Sequence, residues 1–280
     1  MKYKQEFAGE MIGTFLLVLF GCGSVAVSVL FDAHQGLFQI GILWGIGVSL
    51  AIYVTRHLSC AHLNPAVTLA MVTSRRMAAK KMPAYLSGQF IGAFLAGVAV
   101  YLIFRTPIAG YEIANAILRG SPESVQTARM FGEFYVPLGS TPIISMVLAM
   151  AVEAFGTFLL VLLIFSLTEG CNLGRPHDNS APILIGLSVT SIICLLAPLT
   201  QAGLNPARDL GPRLAAWIFG WSGAAFPDRS GGFIFVYLLG PIIGGQAGGL
   251  LFTKILEPLM NAPKETCSCN DDIIIGGGAK

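Results

Sequence analysis

The sequence predicts an all-α membrane protein with six transmembrane helices, two re-entrant half-helices and an inverted internal repeat. Three observations carry that class: a shortage of charge, six long apolar runs and a motif that occurs twice. Only 11% of the 280 residues are charged and 54% are hydrophobic, with a mean hydropathy of +0.72. Soluble domains carry about 25% charged residues, and a soluble fold of this size could not cover its surface with so few. Disorder is excluded because it needs low hydrophobicity and high net charge. The 33 Gly suit helices that approach closely in lipid. A formal net charge of +2 and the lack of a basic tract exclude a nucleic-acid surface. The six Cys have no metal-site spacing with His, so no metal is expected.

The apolar runs, in chain order, are 7–31, 38–54, 82–104, 142–167, 181–199 and 232–256. About 20 residues at 1.5 Å rise cross a bilayer core of roughly 30 Å. The first run is too long for a cleaved signal peptide, and no small-x-small site follows it. The runs are continuously apolar, which excludes a β-barrel. Lys2 and Lys4 precede the first span, and Arg56, Arg75, Arg76, Lys80 and Lys81 lie between the second and third. In the 105–141 connection, Arg105, Arg119 and Arg129 are matched by Glu112, Glu123 and Glu133. The positive-inside rule then places both termini in the cytoplasm. There Cys267 and Cys269 would be free thiols of a reducing compartment.

The repeat is the strongest signal. Gly13-Thr14-Phe15-Leu16-Leu17-Val18-Leu19 recurs as Gly156-Thr157-Phe158-Leu159-Leu160-Val161-Leu162, with Glu10 and Glu153 three residues ahead. Leu63-Asn64-Pro65-Ala66 recurs as Leu204-Asn205-Pro206-Ala207. Each half holds three spans, an odd number, so the halves lie inverted about an axis in the membrane plane. Asn is a good N-cap and Pro suits the first helical position. Short helices of half-bilayer length are therefore expected over 65–75 and 206–217, entering from opposite faces and meeting near the midplane. Irregular backbone at that depth is tolerated where it lines a water-filled cavity, which makes 59–63 and 200–204 pore-lining ladders of carbonyls, with the Asn64 and Asn205 amides as donors between them. Glu10 and Glu153, ionisable groups in apolar spans, are expected to accept hydrogen bonds from the re-entrant loop of their own half. The chain is then one channel domain, 1–258, with halves 7–104 and 150–256 joined by 105–149, and a cytoplasmic tail, 259–280.

The two motifs, Ser59-Cys60-Ala61-His62-Leu63-Asn64-Pro65-Ala66-Val67-Thr68 and Gly203-Leu204-Asn205-Pro206-Ala207-Arg208-Asp209, give the chain a resemblance to the major intrinsic protein family, the aquaporins and aquaglyceroporins, over 7–258. The resemblance implies a homotetramer in the lipid bilayer with one pore per subunit, and passive conduction without cofactor or catalysis. Asp209 after Arg208, Arg213 four positions later and the 118–125 stretch resemble the glycerol-conducting branch. Tyr237 departs from it, since that branch usually has Pro there and water-selective members have an aromatic.

By distance from the motifs, Trp44, Ile193, Ala202 and Arg208 match the family's selectivity constriction. As a set they resemble the plant nodulin-like intrinsic proteins, which are implied to pass glycerol and water and, in some members, lactic acid, ammonia or metalloid acids; urea is a further candidate. Read as chemistry, Trp44 is a flat apolar wall, or else an interfacial belt residue. Ile193 adds apolar surface, and Ala202 leaves room. Arg208 offers a donor fork to hydroxyls, or else pairs with its neighbour Asp209. A polyol would lay its carbons on Trp44 and Ile193. His62 lines or braces its loop and is not a metal ligand. Ions and protons would be rejected by two half-helix dipoles together with the charge on Arg208. A secondary transporter shares broken helices and inverted repeats, but no carboxylate flanks either Asn-Pro-Ala on the central side. A structural member of the same family with a sealed pore is the remaining alternative.

Overall fold

The computed structural model describes residues 3–34, 36–135, 144–227 and 231–262. All regular structure among them is helical. Six helices are long and apolar enough to span a membrane: α1 (Lys4–Phe31), α2 (Leu37–Ser59), α4 (Met82–Ala114), α6 (Met146–Thr168), α7 (Ala181–Thr200) and α9 (Ile234–Asn261). Between them lie the half-helices α3 (Pro65–Thr73) and α8 (Pro206–Ala216) and a single turn, α5 (Val125–Ala128).

The packing follows the repeat. In the first half α1 packs on α2 and α4; in the second α6 packs on α7 and α9. The α2–α7 contact joins the halves, and the half-helices are exchanged across that joint: α3 lies against α9 and α8 against α4. Helix contact in lipid relies on close packing rather than on a hydrophobic drive, and here it runs through glycine. A Cβ on Gly92 of α4 would overlap the Met11 carbonyl oxygen of α1, and one on Gly244 of α9 would overlap that of Ala154 in α6. Large apolar side chains are exposed on the outside of the spans, among them Phe20, Leu102, Ile103, Phe155, Leu187 and Leu195, as a lipid-immersed surface requires.

Several boundaries differ from the sequence expectation. α2 continues past residue 54 to Ser59, carrying Arg56 and His57 beyond the apolar run. α4 continues past residue 104 to Ala114, through Arg105 and Pro107. Apolar runs mark only the lipid-immersed part of a helix, and one Pro removes a single backbone bond from a helix already several turns long. α3 stops at Thr73 rather than residue 75, because Arg75 turns to a φ of 59°. α8 ends at Ala216, one residue before the expected end, and passes into a π-helical turn, Trp217–Trp221. α6 begins at Met146; the first two residues of the expected span, 142 and 143, lie outside the described residues, as do Cys267, Cys269 and the tail from 263.

Candidate pore and constriction

Each half-helix begins where its Asn caps it. Asn64 Oδ1 accepts from Ala66 N at 2.8 Å, and Asn205 Oδ1 accepts from Ala207 N at 3.0 Å and Arg208 N at 3.2 Å. Pro65 and Pro206 take the first helical positions, where an N–H would find no partner. The two caps also hold each other's loops. Asn64 Nδ2 donates to Leu204 O at 2.9 Å, and Asn205 Nδ2 donates to Leu63 O at 2.8 Å. The N-termini of α3 and α8 therefore meet head to head. Ala66 and Ala207 are fully buried directly behind that junction.

The loops leading to the caps share one unusual backbone. Cys60, Ala61 and Leu63 have φ of 65°, 53° and 54°; Gln201, Ala202 and Leu204 have 65°, 57° and 57°. A non-glycine residue in the left-handed region costs of order 1–3 kcal/mol and persists only where its surroundings over-determine it. Here the surroundings do so. Glu10 accepts from His62 N at 2.9 Å and Leu63 N at 2.7 Å, and Glu153 accepts from Gly203 N at 2.9 Å and Leu204 N at 2.7 Å. Ser59 Oγ accepts from Ala61 N at 3.2 Å, and Thr200 Oγ1 from Ala202 N at 3.3 Å. Tyr85 donates its hydroxyl to Ser59 O, and Tyr237 donates to Thr200 O at 2.9 Å. Gln89 adds a brace in the first half alone, donating to Glu10 at 2.6 Å and to Thr68 Oγ1 at 2.9 Å. His62 Nδ1 lies 3.3 Å from the same Thr68 oxygen, and its ring packs on Tyr85 at 4.6 Å.

A cavity of about 490 Å³ runs along these loops. At one end it is bordered by Arg56, Arg76 and Asp178; it passes Asn64 and Asn205 and reaches Trp44, Ile193, Ala202 and Arg208. His62 lines it as well. Glu10, Glu153 and Asp209 do not; they stand behind the wall, each fully buried. Among the described residues of the 105–145 connection, none borders the cavity.

At the Trp44 end the geometry differs from the sequence reading in two ways. Arg208 does not pair with Asp209: its Nη1 forms an ion pair with Glu133. Asp209 is taken by Arg213, which donates Nε at 3.1 Å and Nη2 at 2.7 Å to the two carboxylate oxygens. A carboxylate one residue after Arg208 points to a different side of the helix, whereas one four residues before Arg213 shares its side. Second, the Arg208 guanidinium sits 4.0 Å from the centroid of the Trp44 ring, the ring expected to carry solute carbons. Behind Trp44 stands Gly21 of α1, where a Cβ would overlap the indole ring. Sequence reasoning named neither Glu133, Gln89, Tyr85 nor Gly21 as a site residue. Tyr85 has a faint signal, an aromatic in the third span of its half matching Tyr237 in the other.

Six spans, two exchanged half-helices joined at their caps and a cavity along their loops define a polytopic helical membrane protein. A family profile described as "Major intrinsic protein" matches residues 1–252, and the chain belongs to that family. It is 39% identical to the glycerol uptake facilitator protein of Haemophilus influenzae over 95% of this chain and 97% of that one. It is 36% identical to the propanediol uptake facilitator of Citrobacter freundii, covering 96% and 97% of the two chains. Among solved structures, the X-ray structure of the aquaglyceroporin from Plasmodium falciparum superposes with a TM-score of 0.80 at 27% identity, covering 93% of this chain and all of that one.

Proposed function

We propose that the chain is a passive channel for glycerol and water. The observation that carries this reading is the cavity itself, which is lined by the two loops, by Asn64 and Asn205 and by Trp44, Ile193, Ala202 and Arg208. Solute exchanges its water hydrogen bonds for loop carbonyls and side-chain donors and moves downhill, with no covalent step. Glycerol and propanediol relatives at 36–39% identity support a small polyol as cargo. Ions and protons are excluded because dehydration at the constriction is not repaid by protein ligands, and two half-helix N-termini point their positive ends at the centre. The protein sits in the cytoplasmic membrane with both termini inside, as a homotetramer whose apolar outer faces meet lipid and neighbouring subunits. Residues 1–258 act as one channel domain.

Stopped-flow light scattering on proteoliposomes tests this. Water-driven shrinkage followed by fast glycerol re-swelling is expected; water flux without glycerol entry would indicate a water-selective channel. The small Ala202 and apolar Ile193 favour a second reading, in which lactic acid, ammonia, urea or metalloid acids pass faster than glycerol. Relative permeabilities in one preparation separate the two.

A further inference from the structure

We propose that Gly21 of α1 determines specificity without bordering the cavity: carrying no side chain, it seats the Trp44 indole, and that seat sets the cross-section left to a polyol. The inference deepens the channel reading and rests on it. A Cβ on Gly21 would lie 2.1 Å from Cε3 and Cζ3 of Trp44 and 2.2 Å from Cη2. Carbon atoms in contact rest about 3.5–4.0 Å apart, so one added methyl drives the ring more than about 1 Å off α1. Trp44 borders the cavity and Gly21 does not, so the ring moves toward the passage.

α2 offers the ring no retreat, because its backbone on either side of Trp44 is pressed against α7. A Cβ on Gly45 would lie 2.5 Å from Gly186 O, and one on Gly186 would lie 2.2 Å from Gly45 O. Thr190 Oγ1 donates to Gly41 O at 3.0 Å. On the cavity side the ring has Arg208 beside it, 4.0 Å from its centroid, and Arg208 is itself buried and ion-paired. A displaced indole therefore takes its room from the slot shared with Arg208, Ile193 and Ala202.

The second half shows that the seat and the ring are a matched pair. Along α1, Leu17 borders the cavity and Gly21 follows four residues later, on the same side of the helix. Shifted by 143 residues, the offset that superposes Gly13 on Gly156, this face becomes Leu160 and Ile164, and both border the cavity. Shifted by 141, the offset of the caps, Trp44 becomes Ile185, which borders it too. Where the second half sets two side chains of middle size, the first sets the smallest residue behind the largest. The exchange keeps the wall filled, as a packed interior requires, and only the first half gains a flat ring by it.

A double-variant cycle tests Gly21 as a positioning residue. Wild type, Gly21→Ala, Trp44→Phe and the double variant are reconstituted and their glycerol-to-water permeability ratios compared. Gly21→Ala is expected to lower the ratio about threefold or more in wild type and by less than about 1.5-fold when residue 44 is Phe, whose shorter side chain leaves the methyl room; contacting residues are non-additive in this way. Gly23→Ala, on the same helix where a Cβ meets nothing within 4 Å, is expected to leave the ratio unchanged. A folded Gly21→Ala with an unchanged ratio, the same shift on both backgrounds, or an equal shift from Gly23→Ala would overturn the inference. If Gly21→Ala alone fails to fold, the double variant decides: folding with the ratio of Trp44→Phe supports the seat. Failure of the double variant as well, or a further shift in its ratio, overturns it, since the methyl then acts on something other than the indole. Wild-type flux tests the channel reading separately: were glycerol not to pass, the same cycle would be read on water permeability alone, with the same thresholds.

Discussion

The two re-entrant loops are built alike and their half-helices are not. In both halves a buried glutamate holds two loop N–H groups, a hydroxyl holds a third, and a tyrosine ties down the loop's entry. Position for position, however, the first turn of α3 presents Val67 and Thr68 where α8 presents Arg208 and Asp209, and Val72 stands where α8 has Arg213. All three charged residues of α8 are buried and ion-paired. The comparison teaches that duplication supplied a symmetric passage, and that its chemical character was added at one end only. Shape can be shared by two halves inverted about an axis in the membrane; a constriction that discriminates needs to occur only once.

Removing a loop glutamate should break the shared part with the largest effect. Glu153→Ala or Glu10→Ala leaves two loop N–H groups buried and unpaired, at about 1–3 kcal/mol each. Glu10→Ala is expected to be the worse of the two, because Gln89 loses a partner as well. Thermal unfolding in detergent reads this; equal melting temperatures for wild type and both variants would mean the glutamates do not hold the loops. Next, Asp209→Ala strips Arg213 of its buried partner, an event that costs about 3–5 kcal/mol. The matching change in the other half, Thr68→Ala, loses only hydrogen bonds to Gln89 and His62, worth about 1 kcal/mol each. Should the two melt alike, the asymmetry drawn between α3 and α8 is wrong.

Flux sharpens the comparison further. Ala202→Phe is expected to cut glycerol permeability about tenfold and water permeability much less, since a ring there narrows the slot beside Arg208; one tenfold step is about 1.4 kcal/mol of barrier. Its counterpart Ala61→Phe, far from Arg208, should lower both permeabilities by similar factors. Equal reductions for Ala202→Phe would place it outside the constriction. The smallest effects belong to Tyr85→Phe and Tyr237→Phe, each losing one hydrogen bond to a loop carbonyl, worth about 1 kcal/mol. Matching losses in the two halves are expected, seen as matching drops in melting temperature.

Tyr237 shows how far a single chain can be read. Against the glycerol-conducting branch it looked like a departure, and the structure gives it a mate in Tyr85. The pair escapes the repeat because 152 residues separate the tyrosines while 141 separate the caps; the segment linking half-helix to last span is longer in the second half. Glu133 escaped for a related reason. In sequence it is one of three acids balancing three arginines in a polar connection, and nothing local says that it folds back 75 residues ahead of its partner Arg208.

What the sequence by itself determined is whatever depends on local or repeated pattern. Apolar runs of bilayer length give six spans, Asn-Pro-Ala gives a capped helix start wherever it occurs, and two copies in matching halves give the inversion. What only the tertiary structure decided is which charges meet. Asp209 adjoins Arg208 along the chain yet bonds Arg213, because neighbours on a helix point apart and residues four apart point together. Arg208 is met instead by a carboxylate from a distant loop. In a buried site the low dielectric makes each such pairing costly to leave unmade, so it is the partners brought together by folding, rather than the order of residues, that settle the constriction.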